Sequence, residues 1–233
     1  MTQIVHSAQA LLTRLDGFRL EFKESEWRVD IVLNRPPLNV ITMEQREQLR
    51  AVFEALDEDP GVRVIVLRST GEHFSGGGDF LGLVEVTPEQ VSKLAWDLSA
   101  PARCGKPVIA ANRGYCFGVA FELSLACDFR LATETTLYAL SERMLGPLPG
   151  SGAVARLQKM VGTGRTKDIA MRSRHVSGLQ AYDWGIVTEF ALDSELESAT
   201  DEMVRELLAC PALAQREAKR LLNDIDDAFD HKQ

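Results

Sequence analysis

Two stretches decide how the chain is read: His73-Phe74-Ser75-Gly76-Gly77-Gly78-Asp79 and Arg113-Gly114-Tyr115-Cys116-Phe117-Gly118-Val119. Each follows a short apolar run, Val64-Ile65-Val66-Leu67 or Val108-Ile109-Ala110-Ala111. Four apolar residues bounded by charged or turn residues are too few for an ordinary helix and read as a buried strand. A loop that leaves a strand and enters a helix presents N–H groups with no helical partner, and glycine lets the backbone aim them in one direction. Two such turns can point donors at one developing negative charge. Glu122 follows the second turn directly, and Glu142 precedes the turn-rich stretch Gly146-Pro147-Leu148-Pro149-Gly150-Ser151-Gly152. Backbone donors with two carboxylates suggest a site that stabilises an enolate and moves protons.

Outward from these turns, residues 18–24 and 27–33 alternate apolar and polar side chains and read as a hairpin. Thr42 opens a helix with Gln45 three residues on, the pattern of a capping box, and Leu49, Val52, Phe53 and Leu56 form its apolar stripe until Asp59-Pro60-Gly61. A helix from Thr87-Pro88, the strand 108–111, a helix over 119–126, a strand over 128–131 and a short strand near 137–140 continue the alternation. This order predicts an α/β layered core. After Ser151 helix follows helix, with 186–190 as the strand among them. Leu196, Met203 and Leu207 mark one helix face, and Leu213, Ala218, Leu221 and Leu222 mark the last. The divisions are an N-terminal segment over 1–17, an α/β core over 18–190 and C-terminal helices over 191–233.

Composition sets limits. The 233 residues are 45% hydrophobic and 26% charged, enough for a full core. A net charge of −8 argues against nucleic acid or an anionic membrane as a bulk partner. Cys104, Cys116, Cys127 and Cys210 have no Cys-x-x-Cys spacing and read as reduced, small core residues of a cytoplasmic protein. His6, His175 and His231 lack metal spacing, and His73 reads as structural, so no metal is expected. No run of eighteen apolar residues occurs. The triple glycine is not a dinucleotide fingerprint, because Leu81 stands where Gly-x-Gly-x-x-Gly needs its last glycine.

Taken in order, Leu33-Asn34-Arg35-Pro36-Pro37-Leu38-Asn39, Phe74 to Asp79, Lys106 through Gly118 and Glu122 to Asp128, Glu142 with Leu145-Gly146, Pro149 to Gly152, and Ala181 to Val187 resemble the crotonase superfamily, the enoyl-CoA hydratase/isomerase family. The resemblance implies a spiral of repeated strand-strand-helix units followed by a helical C-terminal region. It implies an acyl-CoA substrate, with coenzyme A entering as part of the substrate and no separate cofactor. By position, the oxyanion donors are the N–H groups of Gly78 and Val119, and the catalytic pair is Glu122 and Glu142. The CoA side maps to Gly76, Asp79, Phe80 and Leu38. Both glutamates together favour water addition or its reverse. Another reaction of the superfamily (isomerisation, or thioester or C–C hydrolysis) and a catalytically inert binding or scaffold member stand as alternatives. A homotrimer or hexamer is implied as well.

Three departures accompany the resemblance. Val119 stands where glycine is common, Arg143 adjoins Glu142, and the family continues past the position of Gln233, so its last helices are expected to be absent. The chemistry agrees with the resemblance: addition of water to an unsaturated thioester places charge on the thioester oxygen, and one fixed donor there is worth roughly 3 kcal/mol.

Overall fold

The computed structural model describes residues 15–23, 26–79, 87–140 and 151–230. The predicted hairpin forms from β1 (Phe18–Lys23) and β2 (Arg28–Leu33), antiparallel in the register Phe18 to Leu33. Helix α1 (Met43–Glu58) starts as the capping box requires: the Thr42 hydroxyl accepts from Gln45 N at 3.1 Å, and Gln45 Oε1 accepts from Thr42 N at 3.4 Å. Asp59 ends it. β3 (Val64–Ser69) follows, then α2 (Pro88–Leu98), a single turn α3 (Ala100–Arg103) and β4 (Val108–Ala111).

Twice thereafter the chain makes one strand in a large sheet and one in a small sheet before a helix. The first unit is β4, β5 (Tyr115–Phe117) and α4 (Val119–Leu125). The second is β6 (Phe129–Thr133), β7 (Leu137–Ala139) and α5 (Ala153–Arg172), which breaks from helical angles at Gly162. Then come β8 (Val176–Ser177), α6 (Gly178–Asp183), β9 (Glu189–Ala191), α7 (Leu196–Ala209) and α8 (Ala212–Asp230). The large sheet has the order β1-β2-β3-β4-β6-β9, parallel from β2 onward, and the small sheet the order β5-β7-β8.

Burial on both faces explains the unbroken apolar runs of β3 and β4, since successive side chains point to opposite sides of a strand. Ile65 and Leu67 pack with Leu49, Val52, Phe53 and Leu56 of α1, while Val64 and Val66 pack with Leu196, Met203 and Val204 of α7. An ion-pair network crosses the second face. Arg28, 1% exposed, gives Nε to Asp30 Oδ1 at 2.5 Å, Nη2 to Asp30 Oδ2 at 3.0 Å and Nη1 to Asp201 of α7 at 2.6 Å. Arg68 Nε adds a bond to Asp30 at 2.8 Å.

Two sequence readings need correction. Cys210 is exposed, whereas Cys104, Cys116 and Cys127 are buried as expected. The marked face of α8 also points outward: Leu213 is 72% exposed, Leu221 54% and Leu222 67%. Its polar side docks instead. Lys219 Nζ donates to Pro101 O at 2.8 Å, Lys106 O at 3.0 Å and Asp128 Oδ2 at 2.7 Å, and these bonds hold the helix by a side chain the pattern treats as solvent-facing. Asp128 also accepts from Val108 N at 2.8 Å, the structural role expected of it. No helix among the described residues is long and apolar enough to cross a membrane.

Removing one member of a buried ion pair leaves the other charge uncompensated, at about 3–5 kcal/mol. Arg28→Ala should therefore lower the urea unfolding free energy by about 3 kcal/mol. A loss below about 1 kcal/mol would show that Arg68 alone compensates Asp30.

Candidate active site

The first turn is held by hydrogen bonds that engage nearly all of its N–H groups. Phe74 N donates to Arg113 O at 2.8 Å, Ser75 N to Tyr115 O at 2.9 Å, Gly76 N to Leu38 O at 2.7 Å and Asp79 N to Ile41 O at 3.1 Å. Gly77 N donates to Ser75 Oγ at 3.1 Å. The Gly78 N–H takes no protein acceptor among the described residues. Since buried backbone donors are nearly always paired, an unengaged one inside a tightly bonded turn is a group reserved for something else.

The second turn supplies the matching donor. Gly118 adopts φ 50°, gives its own N–H to Ala139 O at 2.8 Å and accepts from Glu122 N at 2.9 Å. Val119 is then the first residue of α4, and its N–H has no earlier helical carbonyl to meet. The turns are bonded to each other through β5, since Phe117 N donates to Ser75 O at 3.1 Å. A β-carbon on Gly78 would stand 3.2 Å from Val119 Cγ2, so the two donor residues are neighbours. Close approach also explains Gly114, at φ 51°, where a β-carbon would fall 2.1 Å from Glu72 O.

Glu122 sits one turn into α4 and is 2% exposed. Its Oε1 accepts from Ser151 N at 2.9 Å. Burial raises its proton affinity above the ordinary carboxyl value, opposed by the Ser151 hydrogen bonds and by the positive charges of Arg46 and Arg156. Arg156 Nη1 in turn donates to Ser151 O at 3.3 Å, so the carboxyl and the guanidinium are joined to one residue.

The structure thus brings Gly78, Val119 and Glu122 together, and places Gly76 against Leu38, with Asp79 next in the chain. Glu142, Phe80 and Arg143 lie outside the described residues. His73 is structural: its ring stacks on Tyr115 at 4.1 Å between centroids, and its Nδ1 accepts from Tyr115 N at 3.3 Å. Arg46 and Arg156 were missed by sequence reasoning. The signal for Arg46 was its place three residues before Leu49, on the buried stripe of α1. A surface cavity of about 600 Å³ lined by Arg165, Arg174 and Trp184 contains none of the site residues. No metal-holding group of three or more His, Cys, Asp or Glu residues occurs among the described residues.

Comparison with known proteins identifies the family and the fold. The enoyl-CoA hydratase/isomerase family matches residues 27–230, and the chain belongs to that family, within the crotonase superfamily. A carnitinyl-CoA dehydratase of Salmonella enteritidis PT4 is 32% identical over 205 residues, covering 80% of this chain and 73% of the relative. The crystal structure of an enoyl-CoA hydratase from Bacillus anthracis superposes with a TM-score of 0.82 at 29% identity, covering 89% of this chain and 83% of the other. A Thermobifida fusca YX structure in complex with CoA gives 0.82 at 26% identity, covering 94% and 87%. The fold is the crotonase fold, a mixed α/β core with a helical C-terminal region.

The raised proton affinity of Glu122 has a defined sign for stability. The folded chain binds this proton more tightly than the unfolded chain, so the contribution is complete below pH 4.5, the group's ordinary value, and is lost as pH rises through the raised one. Glu122→Gln, which never ionises, should melt at a higher temperature than the wild type at pH 7. The gap should close as pH falls toward 4.5 in calorimetric scans. A gap that widens on acidification would contradict the assignment.

Proposed function

We propose that this chain is a hydro-lyase of the enoyl-CoA hydratase type, adding water to the double bond of an α,β-unsaturated acyl-CoA thioester or removing it in reverse. The observation that carries the reading is the pair of N–H groups, Gly78 and Val119, that meet no acceptor among the described residues, beside a buried carboxyl whose proton affinity is raised. The thioester oxygen accepts from both donors. Water attacks C3, and the negative charge that develops on the oxygen is stabilised by donors that need no reorganisation at that moment. Collapse of the enolate takes a proton at C2. Glu122 and Glu142 share the handling of the water and of that proton, one ionised and one protonated.

Leu38, Gly76, Asp79 and Phe80 are the residues assigned to the CoA portion. The carnitinyl-CoA dehydratase relative supports the hydro-lyase assignment, because dehydration is hydration run backward. Assembly as a homotrimer or hexamer completes the reading, supported by the outward apolar residues Leu213, Leu221 and Leu222.

Glutamine keeps the shape of Glu122 and its bond from Ser151 N but transfers no proton. Glu122→Gln should lower the hydration rate of crotonyl-CoA by about 10²–10⁴ with thioester affinity preserved. A folded variant with near-normal turnover would sink the proposal.

The donor is tested separately. Proline is tolerated at the first position of a helix and lacks the N–H. Val119→Pro should fold and lose about 10²–10³ in turnover, read from the absorbance of the conjugated thioester. Unchanged turnover would remove Val119 from the oxyanion site.

A further inference from the structure

Three buried polar side chains surround the second donor turn and are not used by the proposed chemistry. Asn112 follows β4, Ser124 lies on α4 two residues beyond Glu122, and Tyr138 is the middle residue of β7; each is 0% exposed. Asn112 Oδ1 accepts from Ser124 Oγ at 2.8 Å and from Tyr138 Oη at 2.8 Å. The bond from Ser124 closes the stretch 112–124, which contains the whole turn with Val119 and Glu122. The bond from Tyr138 joins that closure to β7, where Cys116 is the register partner of Tyr138 and the next residue, Ala139, accepts from Gly118 N at 2.8 Å. Cys116 also bridges to Ser75 of the first turn. One side-chain oxygen thus fixes α4 and β7 relative to the strand end from which the turn leaves.

Stability does not account for the set. Asn112 Nδ2 is buried and meets no acceptor among the described residues. A buried donor left unpaired keeps its full desolvation penalty, whereas apolar groups of the same shape in place of a whole hydrogen-bonded set are often neutral or stabilising. Valine, alanine and phenylalanine would fill these three places with no orphan donor. They would not supply direction. Apolar contact is non-directional and lets a helix of seven residues turn or slide by small amounts, while hydrogen bonds weaken steeply off their preferred angles. A misplacement of about 1 Å at a reacting group can cost about a hundredfold in rate.

We propose that Asn112, Ser124 and Tyr138 are positioning residues that set the placement of α4, and with it the Val119 N–H and the Glu122 carboxyl, at the expense of folding stability. The inference rests on the hydration reading of the site and adds residues that act on the reaction without touching the substrate.

The triple variant Asn112→Val, Ser124→Ala, Tyr138→Phe removes the polar side-chain atoms of the set and keeps most of its volume. It should melt no lower than the wild type, while kcat for crotonyl-CoA hydration falls about tenfold or more and KM stays within about twofold. Tyr138→Phe alone should show the same split at about threefold, and its loss should not multiply with that of Ser124→Ala, since the three act as a unit. A normal kcat in the triple variant overturns the inference while leaving the hydration reading intact. A lower melting temperature, or a loss shared equally between kcat and KM, assigns the set to the general architecture and overturns it as well. An unchanged kcat in Tyr138→Phe does so even if the triple variant fails to fold. A wild type that hydrates no enoyl-CoA overturns both readings.

Discussion

Everything at the site depends on the pairing of the first glycine turn with β5 through Ser75. Ser75 donates its N–H to Tyr115 and accepts from Phe117, while Ile41 N donates to Gly77 O at 2.8 Å and Ile41 O accepts from Asp79 N. These bonds fix the turn between two strands. They leave one N–H, that of Gly78, facing away from both, because the pattern of a parallel bridge engages the residues on either side of it. The free donor is thus a product of how completely its neighbours are bonded. A looser turn would let Gly78 find a partner within the protein, and a donor already satisfied stabilises no charge.

The same economy governs Glu122. An acid on the first turn of a helix would ordinarily face water, but α4 is buried along its whole length. Desolvation then pushes the carboxyl toward its neutral form, while Ser151 N–H and two guanidiniums pull it toward the ionised form. Desolvation outweighs the opposing effects and leaves the carboxyl holding its proton more tightly than an exposed one, which suits the proposed proton transfer. The site gives up some folding stability for that poise.

Much of the fold was legible because it follows from local rules. Four-residue apolar runs between turns gave strands buried on both faces, Thr42 and Gln45 gave the start of α1, and Gly118 gave the start of α4. The family-spaced motifs led to Gly78, Val119 and Glu122, which the structure brings together. What was not legible depends on residues far apart in the chain. β5 is three residues long, too short for a period-2 pattern to register, and it is a strand because Ser75 and β7 pair with it. Arg46 and Arg156 lie 76 and 34 positions from Glu122, and nothing local announces that they share its surroundings. In α8 the apolar stripe was seen, but periodicity does not say which side of a helix docks. Lys219, reaching three acceptors, decided that in favour of the polar side.

Gly114 shows how such an arrangement constrains the history of the chain. Any side chain there would run into Glu72 O and His73, at the root of the first donor turn. A substitution would part the two turns and move both donors, though Gly114 itself makes no contact with the chemistry. Variation at this position is therefore closed to gradual exploration: no intermediate residue is small enough to be nearly neutral. Gly114 changes only if both loops are rebuilt together.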